Sequence, residues 1–317
     1  MFYTIRHITR FLYNAPISES TMEVRMQPRS EVGQRCVHFE LATSPRARVY
    51  AYRDLAGNVV HHFDIPARHN QLRVTADATV EVSVHASLPS HVGLDTWDAL
   101  DASASDGDYW EYLRPSRFVE KTSLLEGFSS ELQLTRAVDP LSLLLRINSE
   151  IYQAFEYTPQ STQVDSPIDD ALKSRRGVCQ DFAHVMLAIL RPLGIPARYV
   201  SGYLYHGEEN QDRSQAGATH AWIEAWLPQL GWIGFDPTND LVVESRHIRA
   251  AVGRDYSDVP PTRGVFKGKA GSELSVAVQV SPSDAPTHED ELMPGVTWVT
   301  PVLEEEEQSQ QQQQQQQ

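Results

Sequence analysis

Apolar and polar residues alternate along most of the first 90 residues, and this alternation predicts β-strands. The stretches "YTIRHITRFLY", "CVHFELATSP" and "LRVTADATVEVSVHAS" carry alternating β-branched and aromatic positions. In "RVYAYRDLAGNVVHHFDIP" the same pattern is interrupted at residues 54–58, which predicts two strands joined by a hairpin. Several short strands at this spacing predict an N-terminal β-sandwich-like domain over residues 1–90.

From residue 91 the pattern becomes irregular and then helical. Residues 91–138 are rich in Ser and Asp, with short helical pieces around "YWEYLRPS", and we interpret them as a connecting helical segment. A better-defined helix begins at Asp139 and Pro140, an N-cap residue followed by proline at the first helical position. Apolar residues then repeat at helical spacing at Leu144, Ile147, Ile151 and Phe155.

A second apolar stretch, "DFAHVMLAILRPLG", predicts a buried helix. It is apolar on most sides, as is typical of a helix inside a core, and Gly194 suits the left-handed end of a helix. Strand patterns follow in "ARYVSGYLY", "THAWIEAWLP", "GWIGFDPTND" and "ELSVAVQV". We therefore predict an α+β protein in which residues 139–280 form a core with a buried helix and several strands.

The net charge of −15 is concentrated at one end of the chain. Residues 270–317 contain nine Asp and Glu residues and no Lys or Arg, so the rest of the chain is only mildly acidic. A mildly acidic surface argues against a protein that binds nucleic-acid phosphates. Because residues 281–317 lose all periodicity and end in a glutamine run, we predict an acidic, Gln-rich disordered tail there.

Targeting and cofactor signals are weak throughout the sequence. It contains no run of about 18 apolar residues and no apolar segment of secretory type near residue 1. Together with two cysteines that look unpaired, this predicts a cytoplasmic protein without a membrane partner. No glycine-rich phosphate loop is present, and we expect no cofactor.

Cys179 is the first residue whose position suggests chemistry. The chain has two cysteines, too few for a disulfide framework or a Cys-rich metal site. Cys179 stands at the start of the buried helix, and a helix N-terminus lowers the pKa of a thiol below about 8.5. Gly177 permits a close approach to the sulfur, and Arg175 and Arg176 add positive charge. The alternative is a small buried apolar residue, the usual environment of a free cysteine.

A thiolate enzyme also needs a histidine and a group that orients it. His220 opens one predicted strand and Asp236 closes the next. If the turn between them is centred on Pro228, His220 and Asp236 face each other directly, with Cβ atoms about 4.5–5.5 Å apart. Each residue also has a plain structural interpretation, His220 as a surface residue at a strand edge and Asp236 as a turn former.

Three motifs, Gly-Val-Cys, Thr-His-Ala-Trp and Phe-Asp-Pro-Thr, resemble the bacterial transglutaminase-like superfamily, a branch of the papain-like thiol enzymes. Residues 1 to about 85 resemble its β-rich N-terminal region. The resemblance implies a papain-like core in which the helix bearing Cys179 packs on an antiparallel sheet. It further implies Cys179 as nucleophile, His220 as general base and acid, and Asp236 as the residue that orients His220. The implied reaction cleaves or transfers an amide or isopeptide bond through a thioester on Cys179.

Several alternatives stay open at this point. The thioester could react with water, as in a protease or amidase, or with an amine, as in a transglutaminase. A tunnel that excludes water would favour the amine, and Trp222, Trp226 and Trp232 are predicted either to line one or to pack in the core. Tyr157 is a candidate donor to the oxyanion, and His184 is predicted to be a core residue.

Two other classes of protein compete with the enzyme. One is a catalytically silent transglutaminase-like scaffold or partner-binding module. The other is a protein with a metal site built from Cys179, His184 and His220. If the protein is an enzyme, we expect a peptide or amide-containing substrate, and a protein partner is compatible with this interpretation. The sequence determines neither the identity of the substrate nor the oligomeric state.

Overall fold

The N-terminal strands form two antiparallel sheets that share one apolar core. This computed structural model describes residues 1–83, 87–107, 109–159, 161–163, 165–207 and 209–285. The first six strands are β1 (Phe2–Ile17), β2 (Glu19–Val24), β3 (Gln34–Ser44), β4 (Val49–Arg53), β5 (Val59–Ile65) and β6 (His69–Val82). β1, β6 and β3 are neighbours in one sheet, and β2, β5 and β4 are neighbours in the other. The predicted N-terminal β-sandwich is confirmed.

The alternation in the sequence decides which side chains enter the sandwich core. Buried residues of the two sheets, among them Ile17 and Leu72 from one and Val24 and Phe63 from the other, form one apolar cluster. β4 and β5 are joined by the predicted hairpin at residues 54–58, where the Asp54 amide donates to the Asn58 carbonyl over 3.1 Å.

Five α-helices in the described ranges lie between β6 and the five-stranded sheet of the second half of the chain. They are α1 (Thr96–Asp106), α2 (Ser123–Glu131), α3 (Pro140–Ala154), α4 (Ile168–Ser174) and α5 (Cys179–Leu190). The Asp139 side chain accepts a hydrogen bond from the Ser142 amide and caps α3, as the sequence predicts. α5 ends four residues before the predicted Gly194, which instead adopts a left-handed conformation (φ 76°) in the turn that follows. None of the helices in the described ranges is long and apolar enough to cross a membrane.

α5 lies against an antiparallel sheet of five strands. Its strands are β9 (Ala197–Leu204), β10 (His220–Leu227), β11 (Gly231–Asp236), β12 (Leu241–Val242) and β13 (His247–Gly253), in the spatial order β12-β11-β10-β9-β13. Every α5 residue from Gln180 to Leu190 is buried, and its apolar side chains join one cluster with Ile223 and Ala225 of β10. A short parallel pair, β7 (Glu156–Tyr157) and β8 (Arg176–Gly177), leads into α5. The α+β core with the cysteine-bearing helix on an antiparallel sheet is confirmed.

The last two strands return to the N-terminal sheets. β14 (Thr262–Lys267) pairs with β2, and β15 (Ser272–Ser283) pairs with β1 along most of its length. This differs from the predicted boundary, which assigns residues up to 280 to the core. The alternating pattern predicts β15 as a strand but carries no information about its partner. Of the predicted tail at residues 281–317, the first three residues belong to β15, and residues 286–317 lie outside the described part of the chain.

Candidate active site

The β10–β11 hairpin brings His220 and Asp236 together, although in a different register from the predicted one. Leu227 pairs with Gly231, so the turn is centred one residue beyond Pro228. Asp236 therefore lies two residues away from the position opposite His220, and the predicted direct pairing is wrong. A shift of two residues keeps both side chains on one face of the sheet, where diagonal neighbours still reach each other. The His220 Nε2 donates to Asp236 Oδ2 over 2.7 Å.

Cys179 lies near the His220 ring. It is the first residue of α5 and is half-buried. Its side chain lies close enough to His220 to raise the pKa of that ring. The structure thus brings together all three residues that the sequence singles out, in the linear order Cys179, His220, Asp236.

Burial and charge act in opposite directions on this cluster. The His220 side chain is 3% exposed and that of Asp236 is 0% exposed. Burial disfavours a charged ring, but the Asp236 carboxylate and the hydrogen bonds with Asp236 and Cys179 outweigh it and raise the pKa of His220. Burial likewise opposes the carboxylate, yet His220 and His247 hold the pKa of Asp236 well below its usual range. The Asp236 carboxylate therefore favours the protonated, positively charged form of the His220 ring.

The start of α5 is fixed by Asp181. Its carboxylate accepts from the Val178 amide over 2.8 Å and from the Thr162 hydroxyl over 2.5 Å. Burial raises the pKa of Asp181 against these two hydrogen bonds. A Cβ at Gly177 would lie 2.8 Å from the Asp181 Cβ, closer than real side chains approach. Glycine is therefore needed at residue 177 so that Asp181 can cap the helix that carries Cys179.

Asp236 has more partners than the sequence suggested. Its Oδ2 accepts from the Asn239 side chain over 2.7 Å and from His247 Nε2 over 3.1 Å, and its Oδ1 accepts from the Thr238 amide over 3.1 Å. Asn239 belongs to the "FDPTND" stretch and could have been found there. His247 begins β13, two strands away from β10, and no local pattern indicates its role.

The three groups His220, Asp236 and His247 also meet the spacing of a metal site. One ligand atom of each lies within 4.8 Å of the others. Both histidines use Nε2 to donate to the carboxylate, however, so neither of these nitrogens offers a lone pair. The buried Nδ1 of His247 has no hydrogen-bond partner within the described ranges. Burial lowers the pKa of His247. The geometry is that of a hydrogen-bonded network around one carboxylate.

His184 lies apart from this cluster. Its Nε2 accepts from the Tyr256 amide over 3.2 Å, and its ring stacks on Phe118 and contacts Tyr199. Burial lowers the pKa of His184, which favours the neutral ring. The structure therefore does not assemble the proposed metal set of Cys179, His184 and His220.

The three tryptophans do not act together. Trp222 is fully buried, and its ring packs against both His220 and His247. Trp226 and Trp232 pair across the far end of the hairpin, where Tyr109 contacts both rings. Trp226 is six residues from His220, about 20 Å along an extended strand. Only Trp222 lies at the site.

His247 gives a first testable prediction. Replacing it with phenylalanine removes one donor from Asp236, and a hydrogen bond to a charged group contributes about 1.5–3 kcal/mol. The pKa of Asp236 should rise, so the imidazolium beside Cys179 becomes less stable. We expect alkylation of Cys179 by iodoacetamide to slow roughly tenfold and the acid limb of its pH–rate profile to move to higher pH.

The matched variant His247→Gln keeps an N–H donor and should recover most of the rate. A His247→Phe protein with the wild-type rate and profile would show that His247 only fills space. Both His247→Phe and His247→Gln should retain the circular dichroism spectrum of the wild type, because each replaces one side chain with another of comparable size.

Comparison with known proteins agrees with this geometry. Residues 132–237 match the transglutaminase-like superfamily, and residues 3–81 match the bacterial transglutaminase-like N-terminal region. An uncharacterized protein of Mycobacterium leprae is 36% identical over 276 residues, which cover 87% of this chain and 96% of that protein. The protein-glutamine gamma-glutamyltransferase of Pseudomonas aeruginosa is 37% identical over 107 residues, covering 32% of this chain and 16% of that enzyme.

The fold is shared with a solved structure. The crystal structure of a candidate cysteine protease from Cytophaga hutchinsonii superimposes with a TM-score of 0.70 and 24% sequence identity, covering 90% of this chain and 92% of that one. This similarity concerns the fold alone and extends over both the N-terminal sheets and the core. Together with the matches in sequence, it shows that the chain belongs to the transglutaminase-like superfamily.

Proposed function

We propose that this protein is a cysteine-dependent enzyme that cleaves or transfers an amide or isopeptide bond through a thioester on Cys179. One observation carries the proposal: the buried His220 ring is hydrogen-bonded to Asp236 and lies close enough to Cys179 for that side chain to raise its pKa. A nucleophile, a proton carrier and an orienting carboxylate in this order are what thiol-based acyl transfer requires.

Each step of the proposed reaction has a group to perform it. The Cys179 sulfur attacks the carbonyl carbon while the thiol proton resides on His220. In this mechanism, backbone N–H groups at the start of α5, including that of Cys179, donate to the oxyanion. His220 then gives its proton to the departing amine, the C–N bond breaks, and a thioester remains. Water or a second amine attacks the thioester, loses its proton to His220 and releases Cys179.

Tyr157 can assist the oxyanion. Its hydroxyl accepts from the Gln215 amide over 3.2 Å, so its own proton stays available for donation. Burial, and after it the nearby Cys179, raise the pKa of Tyr157, and the phenol therefore keeps its proton at neutral pH. This role is part of the proposal.

One relative bears on the fate of the thioester. Similarity to a protein-glutamine gamma-glutamyltransferase favours transfer to an amine. Both fates use the same thioester, so formation of this intermediate is tested first. The cytoplasmic location, the peptide or amide-containing substrate and the absence of nucleic-acid and membrane partners stay predictions.

A substrate-independent experiment tests the proposal. The purified protein is mixed with p-nitrophenyl acetate, release of p-nitrophenolate is followed, and peptide mapping locates the acetyl group. We expect a burst that places acetyl on Cys179 and is absent in Cys179→Ala. Burial raises the pKa of Cys36 to about 11, so this second thiol serves as a slow internal reference. If Cys179 is acetylated no faster than Cys36, the scaffold interpretation replaces the enzyme.

A second arm of the same experiment separates hydrolysis from transfer. After the burst, the rate at which the acetyl group leaves Cys179 is measured with and without n-butylamine. Acceleration by the amine, with formation of N-butylacetamide, would identify an acyltransferase. Loss at one rate in both solutions, with acetate as the product, would identify a hydrolase.

A further inference from the structure

A groove of about 860 Å³ is lined by Tyr157 and by the strand that leads into α5. It is lined where the end of α3 meets the parallel strands β7 and β8, and Arg213 closes one side. Three of its lining residues are arginines, Arg175, Arg176 and Arg213, and one is acidic, Glu156. This composition contrasts with the net negative charge of the chain.

The groove is connected to the reacting sulfur through Tyr157 and β8. Tyr157 lines the groove, and burial together with the nearby Cys179 raises the pKa of its hydroxyl. Arg176 lies three residues before Cys179, in the strand that leads directly into α5. A substrate bound in the groove would therefore extend toward the carbonyl that Cys179 attacks.

Asn239 ties the loop that carries Arg213 to the same cluster. The Asn239 Oδ1 accepts from the Arg213 amide over 2.8 Å. Its Nδ2 donates to Asp236 Oδ2 over 2.7 Å. The same loop supplies the Gln215 amide that donates to the Tyr157 hydroxyl. The position of Arg213 is thus fixed by the residues that orient His220.

The arginines of the groove are not equally neutralised. Arg176 pairs with Glu156 over 3.0 Å, but both side chains are more than half exposed, and such a pair contributes little and can exchange partners. Arg213 donates to the Tyr152 carbonyl over 2.7 Å and lies 3.4 Å above the Tyr152 ring. Within the described ranges, no carboxylate lies at ion-pair distance from Arg213. One positive charge in the groove is therefore unbalanced.

We propose that this groove binds the anionic part of the substrate, so that Cys179 acts on amides that carry a carboxylate close to the scissile bond. The inference rests on the proposed function of Cys179 and adds the chemical class of its substrate. The side-chain hydrogen bonds of Arg213 within the described ranges use Nη1. Its Nε and Nη2 groups can therefore donate two parallel hydrogen bonds to a carboxylate, an ion pair that a neutral amide cannot form.

Two alkylating reagents of similar size, one charged and one neutral, test this inference. Iodoacetate is an anion and iodoacetamide is neutral. The ratio of their rates with Cys179 is divided by the same ratio for 2-mercaptoethanol, which removes intrinsic reactivity. We expect Arg213→Gln to lower the corrected ratio about three- to tenfold, as removal of one partly screened charge from the groove that binds the anion would. Added salt should lower the wild-type ratio as well.

Three further variants make the outcome decisive. Arg176→Gln should also lower the ratio, and Glu156→Gln, which removes the negative charge from the groove, should raise it. Arg6→Gln removes one exposed positive charge from β1 and should leave the ratio unchanged. If Arg213→Gln alters the circular dichroism spectrum, Arg176→Gln and Glu156→Gln decide the question, because their side chains are exposed.

The inference and the proposed function fail in different ways. A corrected ratio that stays constant across the Arg213, Arg176 and Glu156 variants, with fast alkylation that depends on His220, would overturn the anionic groove alone. Slow alkylation by both reagents that is unchanged in His220→Ala would overturn the proposed function, and the groove inference with it.

Discussion

Replacing His220 with alanine is expected to slow acetylation of Cys179 by p-nitrophenyl acetate about 10²- to 10⁴-fold, the usual contribution of a positioned acid–base group. The ring is hydrogen-bonded to Asp236 and lies close to Cys179. Without it, the thiol has no partner to take its proton, and the thiolate loses the adjacent positive charge. Stopped-flow measurement of p-nitrophenolate release at pH 7 gives the rate.

His91→Ala provides the control for this experiment. His91 is exposed, and its ring hydrogen-bonds to Ser90. Because surface substitutions away from a site usually have small effects, His91→Ala should change the acetylation rate less than twofold. Acetylation of Cys36 should be equal in all three proteins. A His220→Ala protein that acetylates Cys179 at the wild-type rate would mean that the sulfur is not activated by this ring.

Replacing Asp236 with alanine is expected to lower the free energy of unfolding by about 3–5 kcal/mol, the range for breaking a buried ion pair. The change leaves the buried His220 without its carboxylate. It also removes the acceptor of the Asn239 and His247 side chains and of the Thr238 amide. Urea denaturation at pH 6 measures the loss.

The exposed carboxylate Asp64 serves as the matched control. Its side chain is 60% exposed and accepts from the Thr21 hydroxyl. Asp64→Ala should change the free energy of unfolding by no more than about 0.5 kcal/mol. If Asp236→Ala lost no more than this control, the carboxylate would not be the partner of a buried charge.

The buried pair of His220 and Asp236 makes the free energy of unfolding depend on pH. The pKa of His220 is raised in the folded protein, so its contribution is fully present below the unfolded value of about 6.5 and is lost as the pH rises. The pKa of Asp236 is lowered, so its contribution is present above about 3.9 and is lost as the pH falls. The difference in unfolding free energy between wild type and Asp236→Asn should therefore be larger at pH 5.5 than at pH 8.5.

Local features of the fold could be predicted from the sequence because they depend on neighbours along the chain. The alternation in residues 1–90 predicts the strands of the sandwich, and Asp139 with Pro140 marks the start of α3. The apolar stretch after Cys179 predicts a core helix, and every residue from Gln180 to Leu190 is buried. In each case the periodicity of burial is the periodicity of the element itself.

The hairpin shows where local reasoning reaches its limit. The alternation placed His220 and Asp236 on one face, which is correct, because the period of a strand is two residues. The turn decided the register, and its geometry depends on the left-handed conformation of Gly231 (φ 72°), which the position of Pro228 does not reveal. The error of two residues preserved the face and changed the partner.

The sequence by itself determined the elements, the family resemblance and the three residues Cys179, His220 and Asp236, because each lies in a short motif with a recognisable local pattern. Only the tertiary structure decided which strands pair across long separations. It carried β14 and β15 back to the N-terminal sheets, placed His247 against Asp236, and set Arg213 beside the groove at the end of α3. These contacts join residues far apart in the chain, and their free energy comes from burial and hydrogen bonds that exist only after the core has packed.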